Sequence, residues 1–182
     1  MFEISFPMLF SFITVVWIVV RLIINIKMKS IDIKREFQLI LVYICIMVIS
    51  RMVYLPTEHV NGHIATEPFD FSKILPFRIN PVPFTFLHDF YDGWQMNIIG
   101  NITMFIPVGI VWPICFKELD TIGKAILAGG GFSLFIEISQ LLFYNRCTDI
   151  DDLILNTTGV TIGVLVYFGI RKLFRKRIKN KI

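Results

Sequence analysis

The chain has 182 residues, of which 55% are hydrophobic, and its formal net charge is +4. A mean hydropathy of +0.68 excludes an ordinary soluble domain and places the chain in the membrane class. We expect no nucleic-acid partner, because basic residues in a chain this apolar are better explained as anchors at the cytoplasmic membrane surface.

Five apolar stretches come close to the roughly 20 residues that cross a bilayer as a helix. They cover about residues 4–20, 37–53, 97–116, 122–143 and 153–170. The first stretch is predicted to be a retained helix and not a signal peptide, because Glu3 stands where a basic segment belongs and no small-residue cleavage site follows Val20. The sequence therefore predicts an all-α membrane protein with a bundle of about five transmembrane helices.

The basic residues indicate an orientation. They lie in the first connection, in the third connection and after the last span: Arg21, Lys27, Lys29, Lys34, Arg35, Lys117, Lys124 and seven residues of segment 171–182. With five spans, all of these fall on one side, which the positive-inside rule assigns to the cytoplasm. We expect the N-terminus outside and the C-terminus inside. Segment 171–182 is then a basic cytoplasmic tail, with an anionic-lipid or nucleic-acid patch as the alternative.

The predicted organisation starts with two N-terminal helices in residues 1–53. A long outer loop follows in residues 54–96, rich in prolines that break regular structure and in aromatic rings that favour the headgroup region. We expect this loop to lie along the membrane surface as an interfacial cap. The alternative is an ordinary surface loop with a few buried rings.

Polar residues gather where the predicted spans meet the outer side. Asn97 and Asn101 are four apart and share a helix face. Ser133, Glu137, Gln140 and Tyr144 form one stripe on the fourth span. The short connection and the start of the fifth span add the remaining polar residues: Arg146, Asp149, Asp151, Asp152 and Asn156. Since polar groups facing lipid would be unsatisfied, we predict that they point at each other and line a polar pocket.

Glu137 has two possible states within that pocket. It lies about two turns below the outer end of its helix, where a charged carboxylate is costly. We expect an ion pair with Arg146, the nearest cation in sequence. The alternative is a protonated carboxyl group. Asp149 or Asp152 is in addition a candidate N-cap of the fifth helix, because an acid suits the positive end of the helix dipole.

Small residues indicate where helices pack closely. Gly159 and Gly163 form a Gly-x-x-x-Gly pair, which permits close packing within the chain or, less simply, between copies. The run of glycines at 129–131 indicates a close backbone approach or a flexible break. Pro107 and Gly109 predict a bend in the third span.

Neither a metal nor a cofactor is expected. The three cysteines are scattered and give neither a disulfide framework nor metal spacing. His59, His63 and His88 lie in one loop, but no supporting ligand set accompanies them.

Several of these motifs occur together in a known family. Residues 97–109, residues 137–140, Arg146 and residues 149–159 resemble, in the same order, the signature of the VanZ-like family. Residues 74–78 look like the Leu-Ile-Pro-Phe segment of that family. The resemblance defines a VanZ-like region at 73–170 with three transmembrane helices. It implies a multi-pass protein of the bacterial cytoplasmic membrane that contributes to resistance to glycopeptide antibiotics such as teicoplanin.

Three functions compete. We expect the pocket to bind or shield an amphiphilic ligand among the membrane lipids, either a lipoglycopeptide or a lipid-linked cell-wall precursor. The alternative is an intramembrane enzyme that modifies such a headgroup, with Glu137 as candidate base and the aspartates holding Mg²⁺. No nucleophile is evident, which argues against it. A small proton-coupled transporter subunit is the third possibility, and the oligomeric state stays open.

Overall fold

The computed structural model describes residues 2–29, 32–55, 59–60, 63–69, 75–89, 93–143 and 146–179. Its helices are α1 (Phe6–Met28), α2 (Ile33–Tyr54), α3 (Trp94–Cys115), α4 (Ile122–Gln140) and α5 (Ile150–Lys179). Short strands accompany them: β1 (Phe2–Ile4), β2 (His59–Val60), β3 (His63–Ile64), β4 (Glu67–Phe69), β5 (Ile79–Asn80) and β6 (Thr148–Asp149), with a 3₁₀ helix at Thr85–Leu87.

All five helices are long and apolar enough to cross a membrane. The prediction of an all-α protein with five spans is confirmed, whereas its orientation stays a prediction. Several helix ends differ from those expected. Helix α1 continues to Met28, past residue 20. Helix α4 ends at Gln140, before residue 143, and α5 continues to Lys179 through the basic segment that was predicted to be a tail. Hydropathy falls at residue 171, but Lys and Arg are good helix formers and do not end a helix.

The chain divides into two compact units. Unit 1 comprises Met1–Arg78 with Ser139–Cys147, and unit 2 comprises Ile79–Ile138 with Thr148–Ile182. Unit 1 therefore holds α1, α2 and β1–β4, and unit 2 holds α3, most of α4, α5, β5 and β6.

In unit 1, α1 has no buried residue. Its apolar side chains face outward all round, as expected of a helix that meets lipid. Polar and aromatic contacts hold it to α2. Arg21 forms a bidentate ion pair with Glu36, in which Nε lies 3.0 Å from Oε2. The Thr14 hydroxyl lies 2.8 Å from the hydroxyl of Tyr43, and the Tyr43 ring packs on Trp17.

The end of α2 packs on the last residues of α4 and on the segment that follows them. The Tyr54 hydroxyl is hydrogen-bonded to Ser139, and its ring lies 5.2 Å from that of Phe143. Phe143 also contacts Phe69 of β4 edge-on. Strand β4 pairs antiparallel with β1, while β2 pairs with β3. Part of the predicted loop 54–96 is thus ordered by short strands that the proline pattern did not predict.

In unit 2, glycines bring the backbones of α3 and α5 into contact. A Cβ atom on Gly109 would lie 2.2 Å from the carbonyl oxygen of Val160, and one on Gly163 would lie 2.2 Å from that of Ile106. A Cβ on Gly159 would meet the Ile102 oxygen at 2.1 Å. The prediction that the Gly-x-x-x-Gly pair packs closely within the chain is confirmed.

The glycines of run 129–131 differ in how closely they are packed. Gly129 faces the side chain of Val160 and has no room for a Cβ, whereas Gly131 has open space around it. The predicted close approach of run 129–131 is therefore made by its first member. Helix α3 runs through both Pro107 and Pro113 without ending, so the bend at Pro107 stays a prediction.

Substituting Gly159 by Ala tests the α3–α5 contact. The added Cβ collides with backbone, which cannot rotate away, and overpacking of this kind costs about 1–3 kcal/mol. We expect the melting temperature of the detergent-solubilised protein to fall. Gly131→Ala is the matched control and should be neutral or slightly stabilising, because Ala is the better helix former. Equal melting temperatures for the two variants would contradict this packing.

Candidate functional site

The start of α5 is the point at which the polar residues of unit 2 meet. Asp149 directly precedes the helix, and its Oδ1 accepts a hydrogen bond from the Asp151 backbone N–H at 2.8 Å. This is the geometry of an N-cap, so Asp149 takes the capping role considered for Asp149 or Asp152. Its Oδ2 accepts a bond from Asn80 Nδ2 at 3.0 Å. Because β5 and β6 pair in parallel, Asn80 lies directly beside Asp149.

Glu137 is buried in α4, with 3% of its surface exposed. Its Oε2 accepts the backbone N–H of Asp149 at 3.2 Å. Its backbone carbonyl accepts the hydroxyl of Thr148 at 2.6 Å, which satisfies one of the carbonyls left free at a helix end. The partner that the structure gives to the carboxyl group is therefore an uncharged amide. The expected ion pair with Arg146 stays a prediction, since Arg146 belongs to unit 1.

Asp152 connects α5 to α3. Its Oδ1 accepts Asn101 Nδ2 at 2.5 Å, and the Asn97 side chain is hydrogen-bonded to it as well. Asn101 also donates to Asn97 Oδ1 at 3.3 Å, as their spacing of four residues allows. Asp152 is half-buried and Asn97 is exposed. We call Asn97, Asn101, Glu137, Asp149 and Asp152 the polar cluster.

The Asp151 side chain binds the segment that precedes α3 and not the polar cluster. It is buried, and it accepts four hydrogen bonds from this segment. The donors are the backbone N–H groups of Phe84, Thr85 and Phe86 and the hydroxyl of Thr85, at 2.5, 2.7, 3.3 and 2.6 Å. It thereby caps the 3₁₀ helix and stabilises Phe84, whose φ of 66° is unusual for a residue with a side chain.

These bonds fasten residues 79–89, which we call the cap segment, to the start of α5. The segment contains β5 and the 3₁₀ helix, and a turn within it is closed by Asn80 Oδ1, which accepts the N–H of Val82 at 3.3 Å. Four of its apolar side chains are more than half exposed: Ile79, Val82, Phe84 and Leu87. An apolar surface is therefore held next to the polar cluster.

One helical turn further into unit 2, Asn156 lies between α5 and α4. Its Nδ2 donates to Ser133 Oγ at 3.0 Å, and both side chains are almost fully buried. Its Oδ1 is buried and has no hydrogen-bond partner among the described residues. This pair is an interhelical polar contact below the cluster, and not part of its rim.

Two of the predicted pocket residues belong to unit 1. Gln140 is buried and donates from Nε2 to the carbonyl of Val53 at 3.5 Å. Arg146 has a buried Nε that makes no hydrogen bond within the described part of the chain. Their share in a common pocket stays a prediction. Tyr144, the last member of the predicted stripe, lies outside the described residues.

Asp149, Asp151 and Asp152 each accept hydrogen bonds from different donors of the protein. Within the ranges that the structure describes, no group of three or more His, Cys, Asp or Glu residues is placed to hold a metal ion. The Mg²⁺ site considered for Asp149, Asp151 and Asp152 thus finds no geometric support among those residues.

Three residues of this site were not singled out from the sequence: Asn80, Thr85 and Thr148. Asn80 precedes Pro81, a pair typical of turns, and that signal could have marked it. Thr85 and Thr148 carry no comparable signal, because their partners are distant in the chain or are backbone groups.

Fold and site together define a multi-pass membrane protein with an acidic, hydrogen-bonded polar cluster at one end of three helices. The chain belongs to the VanZ/LLP1 family, whose model matches residues 37–175. It is 35% identical over 89 residues to "Protein VanZ" of Enterococcus faecium, an alignment that covers 49% of this chain and 52% of that protein. The chain thus spans about half the length of this curated relative. No solved structure matches.

Asp151→Asn tests the attachment of the cap segment. Hydrogen bonds to a charged group contribute about 1.5–3 kcal/mol, and a neutral amide cannot accept four such bonds. We expect amide hydrogen exchange at Phe84, Thr85 and Phe86 to become faster by roughly tenfold or more. Asp89→Asn removes an exposed carboxylate from the same segment and should leave these rates unchanged. Unaltered exchange in the Asp151 variant would show that the segment is held in another way.

Ser133→Ala tests the buried pair between α4 and α5. It leaves Asn156 Nδ2 without its acceptor, at a cost of about 1–3 kcal/mol. Replacing both residues, with Ser133→Ala and Asn156→Leu, removes the unpaired groups and should recover part of the lost melting temperature. Ser11→Ala, at an exposed site on α1, is the control and should have little effect. A double variant that is as unstable as the sum of the two single variants would argue against direct pairing.

Proposed function

We propose that this protein contributes to glycopeptide resistance, teicoplanin resistance in particular, by binding or shielding an amphiphilic ligand at the outer leaflet. The polar cluster forms the recognition surface, with Asn97 and Asp152 at its accessible end. The proposal includes the orientation expected from the basic residues, with the C-terminus in the cytoplasm of a bacterial cell. The start of α5 then faces the outside.

The observation that carries the proposal is the fixed position of the cap segment beside the polar cluster. Asp151 binds the backbone of residues 84–86, and the next residue along α5, Asp152, belongs to the cluster. Exposed Val82, Phe84 and Leu87 therefore lie close to carboxylate and amide groups. A ligand with an acyl chain or aromatic rings next to hydroxyl and amide groups matches such a surface.

The charges of the cluster limit the ligand groups that it can bind. Glu137, Asp149 and Asp152 supply acceptor oxygens, and Asn97 and Asn101 supply both donors and acceptors. The cluster of unit 2 is thus suited to hydroxyl, amide N–H and amine groups. A glycopeptide presents all three of these. Phosphate or carboxylate groups of a ligand would instead require a cation, and the polar cluster contains none.

The similarity to a protein named VanZ also supports a role in glycopeptide resistance. The aligned protein of Enterococcus faecium bears the name VanZ, and the VanZ-like resemblance associates such proteins with teicoplanin. Teicoplanin carries a lipid tail and acts on cell-wall precursors in the outer leaflet. An amphiphilic surface at that leaflet is where a protein could intercept the antibiotic or cover its target.

Susceptibility measurements test the proposed function. The full chain is expressed in a sensitive bacterium, and minimal inhibitory concentrations are compared for teicoplanin and for vancomycin, which has no acyl chain. We expect a rise for teicoplanin and a smaller rise or none for vancomycin. Asp152→Asn should bring the teicoplanin value back towards that of the empty vector, because losing a charged hydrogen bond weakens binding roughly tenfold.

The wild-type chain and all variants are compared at equal abundance in the membrane. Glu118→Gln removes an exposed carboxylate from the connection between α3 and α4 and should keep full resistance. The absence of any shift for the wild-type chain would reject the resistance function. A Mg²⁺-dependent change in an extracted lipid would favour the enzymatic alternative.

A further inference from the structure

A second candidate site lies at the opposite end of unit 2. A groove of about 490 Å³ runs along the last turns of α5 and reaches the start of α4. On α5 it is lined by Leu165, Phe168, Gly169, Lys172 and Arg175, whose spacing of three and four residues places them on one helix face. We call this the basic groove. None of the polar cluster residues contributes to it.

The groove has a strong positive charge. Arg171, Lys172 and Arg175 line it, against one acid, Asp120. Asp120 is already paired, since its Oδ1 lies 2.7 Å from Lys124 Nζ, and this hydrogen bond lowers the pKa of the Asp120 carboxyl group. Asp120 also interacts weakly with the charge of Arg171, but with three cations against one acid the groove keeps a net positive charge.

The apolar part of the groove lies directly next to these cations. The Arg171 guanidinium is held over the ring of Phe168, with 5.8 Å between Cζ and the ring centroid. Leu165, one turn before Phe168 on α5, and Ile122, the first residue of α4, continue the apolar lining, and both are exposed. Gly169 leaves space between them, because a Cβ there would contact nothing within 4 Å.

The length of α5 places this boundary at the depth of lipid headgroups. Its 30 residues extend over about 45 Å, whereas the hydrocarbon core measures about 30 Å. If the start of α5 lies at one membrane surface, residues from about 170 onwards reach the other. Phe168 and Leu165 then lie among acyl chains, and the cations lie among phosphates.

We propose that the basic groove is a binding site for an anionic phospholipid. Arg171, Lys172 and Arg175 contact the headgroup phosphate, and an acyl chain lies along Phe168, Gly169 and Leu165. Charge complementarity favours an anionic lipid over a zwitterionic one, and the apolar lining favours a lipid over free phosphate. With the proposed orientation, this is a lipid of the inner leaflet. The site is independent of the proposed resistance function, which uses the other end of the helices.

Lipid binding by the purified full-length protein tests this site. Native mass spectrometry in detergent measures the apparent affinity for phosphatidylglycerol, for phosphatidylcholine of the same chain length and for inorganic phosphate. We expect phosphatidylglycerol to bind at least about tenfold more tightly than phosphatidylcholine, and inorganic phosphate to bind much more weakly than either.

Two kinds of variant separate the charge from the groove. The triple variant Arg171→Gln, Lys172→Gln, Arg175→Gln should lose the preference for phosphatidylglycerol. Its control, Lys27→Gln, Lys34→Gln, Arg35→Gln, removes three cations elsewhere and should retain it. Gly169→Trp fills the groove without removing charge and should weaken the binding of both lipids, whereas Gly131→Trp, at another glycine with open space around it, should not.

Several results would overturn the proposal. These are equal affinity of the wild type for the two lipids, an unchanged preference in the triple variant, unchanged lipid binding after Gly169→Trp, or phosphate bound as tightly as phosphatidylglycerol. Should the triple variant fail to fold, Gly169→Trp decides the question alone. Susceptibility to teicoplanin is not a readout of this site, so its failure and that of the resistance function are distinguishable.

Discussion

Backbone contact between α3 and α5 is the constraint on which the arrangement of unit 2 depends. Gly109, Gly159 and Gly163 let the two helices approach until carbonyl oxygens occupy the space where side chains would be. In a lipid environment, helices gain little from burying apolar surface against each other, so close packing and polar contacts must hold them together. The same approach brings Asn101 of α3 within reach of Asp152 of α5. The contact between Asn101 and Asp152 within the polar cluster thus depends on the glycine pattern two or three turns away.

The three aspartates at the start of α5 make different contacts. Asp149 caps the helix, Asp151 holds the cap segment and Asp152 joins α3, so that each carboxylate has donors of its own. Their concentration at a helix N-terminus is favourable because the helix dipole is positive there. Buried polar groups are costly unless they are bonded. This network therefore orders the end of the helices, while Asn97 stays exposed and Asp152 stays half-buried.

The five spans could be predicted from the sequence, since long apolar runs can satisfy their backbone hydrogen bonds in a bilayer only as helices. The glycine contact could be predicted as well, because small residues four apart permit close helix packing. The sequence did not reveal the end of α5, because hydropathy follows lipid burial and not helix propensity. The partners of the aspartates were also hidden. Asn80 and Thr85 are separated from Asp149 and Asp151 by more than 60 residues. The Glu137 carboxyl group was expected to pair with the Arg146 side chain. Its observed donor is the backbone N–H of Asp149, and a pattern of side chains in the sequence gives no information on such a donor.

Cysteine cross-linking tests the contact between α3 and α5. In a chain whose three native cysteines are replaced, Asn101→Cys and Asp152→Cys place two thiols where the structure has a hydrogen bond. Thr103→Cys with Asp152→Cys is the comparison, because Thr103 is exposed on α3 and bonds to its own helix backbone. We expect rapid cross-linking under mild oxidation in membranes for the first pair and little for the second. Equal rates for both pairs, or faster cross-linking through residue 103, would contradict the packing of α3 on α5.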